Sequence, residues 1–470
     1  MGENEEMNYK GMDRICRYFS KKKYYYLVFL FLFILGMMIH LITNDAKGYW
    51  DAGGYWEIGK TYSQGIKAVQ DVSRGWVLPY VFGLCYRFGI LLGYEYLGYQ
   101  IFSSLVFAFT FTFIFTYIAR ILKFEAPDTK MAVSGGICGI LFFFFFKGLF
   151  IYTLSDFYAL ALALLSIILM YEIVECRRKL YIKILEAFLL GSCLYGTYNM
   201  RTIYLFSLLA GWGVLIIWHL YLKSWKQLLI TSLACLTGML ICAIPQYMTN
   251  HNLLGIYSWR VPTQQLMLKQ LQWGIGMERY ATYVGDPAQY GAPGMEFINH
   301  AGVEILNRFQ IMEFTSYGQL LKLIIRYPLD FLGIYVRHFL NILYPVYPNQ
   351  YIYDITKDKS LLLILFYTVF FIAMVRFISS FKWRSSRWVW LALILLPCIC
   401  ILPGAVEIRF FIALYFLIFM YAVLGIKEFM MQVGKQKVRY IMSYLVGFLL
   451  YVAYVGMLLG TTADGISIIN

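Results

Sequence analysis

Apolar runs follow one another along almost the whole chain, most of them near the roughly 20 residues that a helix needs to cross a bilayer. The first, residues 24–41, reads YYYLVFLFLFILGMMIHL. A chain built this way cannot fold around a single soluble core, because its helices are apolar on every side. Only 14% of its 470 residues are charged and 60% are hydrophobic, where a soluble protein carries about 25% charged residues. The alternating pattern of an outer-membrane barrel is absent. The expectation is an all-α integral membrane protein.

The basic residues set the topology. Lys21, Lys22 and Lys23 precede the first run, no small-residue cleavage site follows it, and the run reads as an uncleaved span with a cytoplasmic N-terminus. Basic clusters collect in cytoplasmic loops, and the net charge of +14 is read in that way, with no nucleic-acid partner. About eleven spans result, at 24–43, 97–117, 131–146, 157–173, 184–198, 203–221, 228–247, 360–375, 388–402, 410–424 and 440–460. Two further apolar stretches, 76–93 with Pro79 and Arg87 and 327–344 with Asp330, Arg337 and His338, read as helices lying on the outer surface. Counting either as a span would turn later basic loops outward.

The expected organisation is a cytoplasmic segment 1–23, a transmembrane module 24–247 with its first outer loop at 44–96, an extracytoplasmic loop and interfacial helix at 248–358, C-terminal helices at 359–460, and a tail at 461–470. There is no internal repeat. The nine cysteines fall mostly inside apolar runs without metal spacing, as small core residues do.

Ionisable residues near a bilayer are costly and draw attention to function. Here they are nearly absent from the middle of the spans and gather at the outer face, as Asp45, Asp51, Glu57, Asp156, Arg201, Glu407 and Arg409. A transporter of polar solutes would place polar groups or broken helices near the midplane. The first outer loop reads NDAKGYWDAGGYWEIGKTY from residue 44. In it Asp51 is followed by Gly53 and Gly54, which permit close approach of a ligand. Tyr55 and Trp56 offer rings for sugar faces. Glu57 sits at the expected start of a helix and suits that helix's N-terminus; with the two aromatics it completes the residues of this loop expected at the substrate. Asp156, in TLSDFY, reads either as a helix N-cap or as the partner of Asp51 in a pair of acids. Such a pair can hold a divalent cation or position a hydroxyl nucleophile. Arg201 and Arg409 read either as snorkelling arginines or as forks for a phosphate. His251, His300 and His338 form no metal motif.

The order of these features resembles a known family. An acid with Tyr and Trp in the first outer loop (DAGGYWEIG) is followed by an interfacial stretch with an early proline (WVLPYVFGLCYRFG). An acid then opens a later span (LSDFYALALALL). A glycine-containing span ends at an arginine (GSCLYGTYNMRT), and an arginine with aromatics opens a span near the C-terminus (EIRFFIALYFL). Together they resemble the GT-C superfamily of integral-membrane glycosyltransferases. The likeness is greatest to the bacterial branch similar to protein mannosyltransferases and the lipid A aminoarabinose transferase.

The resemblance implies a GT-C-like bundle in a bacterial plasma membrane. It implies transfer of a sugar from a polyprenyl-phosphate donor to an extracytoplasmic hydroxyl of a glycan, lipid or protein. By it Asp51 is the catalytic acid, with Asp45 the alternative in the same loop. Asp156 is the second acid, and Arg409 with Arg201 contacts the donor phosphate. No cofactor is required by this reading, and a divalent cation on Asp51 and Asp156 is left open. The rival readings are a lipid-linked glycan polymerase or ligase, a transporter or flippase of lipid-linked sugars, and a non-catalytic accessory subunit.

Overall fold

The computed structural model describes residues 23–43, 49–176, 178–284, 294–345, 351–352, 360–380, 387–463 and 466–469. The chain is 81% helical. Among the described residues nine helices are long and apolar enough to cross a membrane, and the protein is a multi-pass, predominantly helical membrane protein. Each of the nine coincides with an expected span. The other two expected spans are also helical, over Arg387–Cys400 and Lys437–Ala463. The two stretches read as surface helices form Val77–Leu91 and Pro328–Ile342. Each has 15 residues, and at about 1.5 Å per residue each falls short of a full crossing.

The chain divides into two compact units. The first comprises residues 1–143, 149–262 and 383–397, the second 144–148, 263–382 and 398–470. In the second unit residues 263–382 cluster with 398–470.

In the first unit the spans succeed one another antiparallel. Lys23–Thr43 is mostly exposed and buries only Tyr25, Leu32, Gly36 and His40, a narrow stripe at helical spacing. Against it lies Leu97–Ile121, which widens to a π-helical turn at Thr110–Ile114. Leu180–Met200 and Trp225–Leu254 make the tightest crossing. A Cβ at Gly191 would stand 1.9 Å from the Cys235 carbonyl oxygen, and one at Gly238 would stand 2.0 Å from that of Phe188. Without a hydrophobic drive inside lipid, such close backbone approach is what holds helices together. Between the first two spans run two short helices, Trp50–Ser63 and Val77–Leu91, packed on each other. By this antiparallel order, residues 49–97, 149–156, 200–202 and 254–262 gather at one end of the unit, and residues 121–128, 172–176, 178–186 and 219–226 at the other.

The second unit holds a small sheet that an all-helical expectation did not include. Its strands are β1 (Met277–Tyr283), β2 (Gly294–Ile298), β3 (Tyr351–Ile352) and β4 (Ile466–Ile469), in the order β3-β1-β2-β4. β2 pairs antiparallel with β1 and β4, and β3 runs parallel to β1. Beside it Leu268, Ile275, Leu306, Leu323, Phe331 and Ile334 form a core between helices Gln264–Gly276, His300–Arg308, Tyr317–Arg326 and Pro328–Ile342. On the opposite face of the last helix Leu329, Leu332, Val336 and Phe339 stay exposed. The helix is therefore apolar on two sides, as expected of one that rests on a membrane surface.

Candidate functional site

Asp51 lies in the first turn of the Trp50–Ser63 helix. There its charge complements the partial positive charge of the helix N-terminus. Glu57 was expected to hold such a place; the helix starts seven residues earlier, so the acid at its N-terminus is Asp51. Glu57 instead sits mid-helix, 67% exposed, 2.9 Å from Lys60. Just before Asp51, Trp50 has φ 38°. This left-handed conformation costs a non-glycine residue about 1–3 kcal/mol and is found where a site holds it in place. Asp45 lies outside the described residues.

The partner of Asp51 is Arg74, whose guanidinium forms an ion pair with it and lies over the Tyr55 ring, 5.3 Å from its centroid. Asp156 opens the Asp156–Glu175 span, is 3% exposed, and pairs with Arg201 at 2.7 Å. The two ion pairs are tied together from both sides. Thr153 Oγ1, in the turn before Asp156, donates to the Ala52 carbonyl at 2.7 Å. Tyr55 Oη donates to the carbonyl of Met200, next to Arg201, at 3.2 Å. Gly75, next to Arg74, lies so close to Asn199 that a Cβ there would stand 1.7 Å from the Asn199 carbonyl oxygen. The four segments that bear Asp51, Arg74, Arg201 and Asp156 are thus joined into a closed ring, through the two ion pairs and through the contacts of neighbouring residues.

Two expected roles change. Tyr55 and Trp56 are 3% and 2% exposed, so they do not offer ring faces to a sugar. Trp56 stacks on Tyr96 at 4.8 Å, and its Nε1 donates to Glu95 at 2.9 Å. Glu95 also takes Lys60 at 2.7 Å. Burial raises the Glu95 carboxyl pKa, but the hydrogen bonds from Lys60 and Trp56, with the Lys60 charge, outweigh it and hold the group below the usual carboxylate range. This cluster fixes the Trp50–Ser63 helix from the side away from Arg74. Glu95 and Arg74 do not stand out in the sequence; the one signal for Arg74 is an arginine before Gly75-Trp76 in the loop that follows the acids and aromatics of residues 49–62.

Among the described residues no group of three or more His, Cys, Asp or Glu could hold a metal ion. Asp51 and Asp156 each face a guanidinium, which repels a cation and suits an anion instead.

In the second unit, Arg409 and Glu407 form a two-pronged pair. Nε reaches Oε2 at 2.6 Å and Nη2 reaches Oε1 at 3.2 Å, and both residues are buried. His338 lies buried between the carbonyls of Leu402 and Met277, at 2.6 and 2.9 Å. His251 is exposed and stacks on Tyr257 at 4.4 Å. His300 opens a helix and is exposed. A cavity of about 490 Å³ lined by Arg120, Phe124, Glu125, Ala126 and Pro127 lies at the opposite end of the first unit from the ring.

Comparison with family models, with curated proteins and with solved structures finds no match for this chain.

Proposed function

We propose that the protein is a membrane glycosyltransferase that moves a sugar from a polyprenyl-phosphate donor to a hydroxyl of an extracytoplasmic glycan, lipid or protein. The observation that carries this reading is the ring of Asp51, Arg74, Arg201 and Asp156 at one end of a bundle of membrane spans. Two carboxylates and two guanidinium groups are the equipment that sugar transfer from a lipid phosphate requires. Asp51 takes the proton of the acceptor hydroxyl as its oxygen bonds to the anomeric carbon. The bond from that carbon to the phosphate oxygen breaks, and the lipid phosphate leaves with the electron pair. A general base of this kind contributes about 10²–10⁴-fold in rate. Arg201 is assigned to the departing phosphate, where charge develops. Arg74 aims Asp51 through their ion pair. The eleven-span GT-C-like bundle, the bacterial plasma membrane and the extracytoplasmic site belong to this reading.

The test is transfer from a panel of radiolabelled polyprenyl-phosphate sugars in liposomes, with wild type and Asp51→Asn side by side. Transfer by wild type and a fall of at least about a hundredfold in the variant are expected. Full activity of Asp51→Asn would remove the base from the mechanism.

One observation favours a second reading, a transporter or flippase of lipid-linked sugars. His40, Gln100, Ser104, Thr110 and Thr112 are buried within the first two spans, where apolar residues are the rule. Flipping of a lipid-linked glycan without turnover would select that reading.

A further inference from the structure

A chain of buried amides runs through the first unit beside the ring. Asn199 Oδ1 accepts from the Val77 backbone N–H at 2.9 Å, and Asn199 Nδ2 donates to Gln246 Oε1 at 2.9 Å. Gln246 Oε1 also accepts from the Trp76 N–H at 3.3 Å, and Gln246 Nε2 donates to Asn250 Oδ1 at 2.9 Å. Asn250 Nδ2 then donates to the carbonyls of Ser258 and Arg260, at 2.7 and 2.8 Å. All three side chains are at most 1% exposed. Every donor points the same way along the chain, so each bond polarises the next.

The position of this chain is what gives it meaning. Asn199 is two residues before Arg201 and in backbone contact with Gly75, which follows Arg74. Its side chain fixes the amide of Val77, and Gln246 fixes that of Trp76. The Trp76 indole donates to the Cys242 carbonyl at 2.9 Å, one turn before Gln246. Pro245, inside the Trp225–Leu254 helix, opens that turn. At the far end the loop 258–261 is held by two more bonds. Tyr195 Oη donates to the Trp259 carbonyl at 2.8 Å, and the Val261 N–H donates to Tyr198 Oη at 3.3 Å. Neither Asn199, Gln246 nor Asn250 touches an acid of the ring. A fully satisfied polar network inside a helical bundle specifies a unique arrangement where an apolar contact would allow several.

We infer that Asn199 and Gln246 are positioning residues. They hold the segment bearing Arg74 and the turn bearing Arg201 in one register, so that both guanidinium groups stand fixed against Asp51 and Asp156. The catalytic consequence rests on the transferase reading above; the register itself does not.

The test keeps the two apart. Full-length wild type, Gln246→Leu and Gln246→Glu are compared in detergent by hydrogen exchange of the backbone amides of residues 74–78, and in liposomes by transfer kinetics. Leucine fills the space and removes the acceptor. Glutamate restores an oxygen for Asn199 and Trp76 in either protonation state. Exchange at 74–78 is expected to rise about tenfold in the leucine variant, as for a lost buried hydrogen bond, and to return toward wild type in the glutamate variant. The kcat for transfer is expected to fall about a hundredfold in the leucine variant, as for a misplacement near 1 Å, with the KM for donor little changed, and to recover with glutamate.

Unchanged exchange in Gln246→Leu overturns the register, whatever the activity. Raised exchange with unchanged kcat in an active protein overturns the positioning role. Absence of transfer in wild type defeats the transferase reading, and the exchange pattern still decides the register. Gly75→Ala, whose added carbon would stand 1.7 Å from the Asn199 carbonyl oxygen and 2.5 Å from its Oδ1, is a second disruption, expected to raise exchange at 74–78 with every side-chain amide still present. No change in that variant would overturn the inference equally.

Discussion

The two ends of the first unit both bury arginine–carboxylate pairs, and they do so differently. At one end, Asp51–Arg74 and Asp156–Arg201 join four segments, cross-tied by Thr153, Tyr55 and Gly75. At the other end, Arg178 reaches Glu172 and, at 2.9 Å, Glu186, with side chains 9%, 6% and 11% exposed. Those three residues lie on a single hairpin, where the span Asp156–Glu175 turns into Leu180–Met200. A pair confined to one hairpin staples two consecutive helices and needs nothing from the rest of the fold. A ring drawn from distant segments fixes the relative positions of its own charged groups. The difference separates charge that stabilises from charge that can do chemistry, because preorganisation is what a site adds.

The largest effects should come from breaking the buried pairs. Arg178→Met and Asp156→Asn each leave a buried group without its counter-ion, and each should lose about 3–5 kcal/mol of stability, read as a fall in the thermal unfolding midpoint in detergent. Neutralising the partners separates the two ends. Arg178→Met with Glu172→Gln and Glu186→Gln should recover most of the stability, since neutral groups of similar size replace buried ions at little cost, and should keep transfer. Asp156→Asn with Arg201→Met should recover stability and remain inactive. Activity in that second combination would show that the ring is a staple as well.

A smaller loss of stability, with a larger functional one, is expected at Arg74. Its side chain is 25% exposed and that of Asp51 23%, and a partly solvated pair contributes only about 0–1 kcal/mol. Lysine keeps the charge and loses the planar fork and its stacking on Tyr55. Arg74→Lys should therefore unfold within about 1 kcal/mol of wild type, yet transfer roughly 10–100-fold more slowly. Equal activity would mean that the charge alone matters at that position.

The sequence made the membrane architecture legible because lipid imposes one strong rule, a long apolar helix per crossing. It also singled out Asp156, Arg201 and Arg409, each an ion at the edge of an apolar run, and Asp51, an acid among aromatics and glycines in the first outer loop. What it could not convey was pairing. Nothing in DVSRGW joins Arg74 to Asp51, and nothing in TYNMRT joins Asn199 to Gln246, because such contacts arise only when helices far apart in the chain pack together. Tyr55 and Trp56 look like exposed interface aromatics in sequence. Their burial follows from the short Val77–Leu91 helix packing on Trp50–Ser63, an arrangement that composition does not reveal. The sheet escaped for a related reason: β4 comes from the chain's last residues and β3 is two residues long.

The smallest effect lies within the ring's own end and depends on pH. Lys60 is shared by Glu95, 34% exposed, and Glu57, 67% exposed, but only Glu95 also accepts from Trp56. The Glu95 carboxyl is held below its ordinary value. Its contribution is therefore fully present above the unfolded value near about 4.3 and is lost as pH falls through the folded value. With a third of the side chain in solvent, that contribution is below about 1 kcal/mol. Glu95→Gln should lower the unfolding midpoint slightly at neutral pH, and the gap from wild type should close as pH drops below about 4.3. Glu57→Gln, an exposed i,i+3 pair worth about 0.2–0.5 kcal/mol, should show a smaller gap, sensitive to salt. A Glu95 gap that stays constant down to acid pH would mean that the carboxylate's charge contributes nothing.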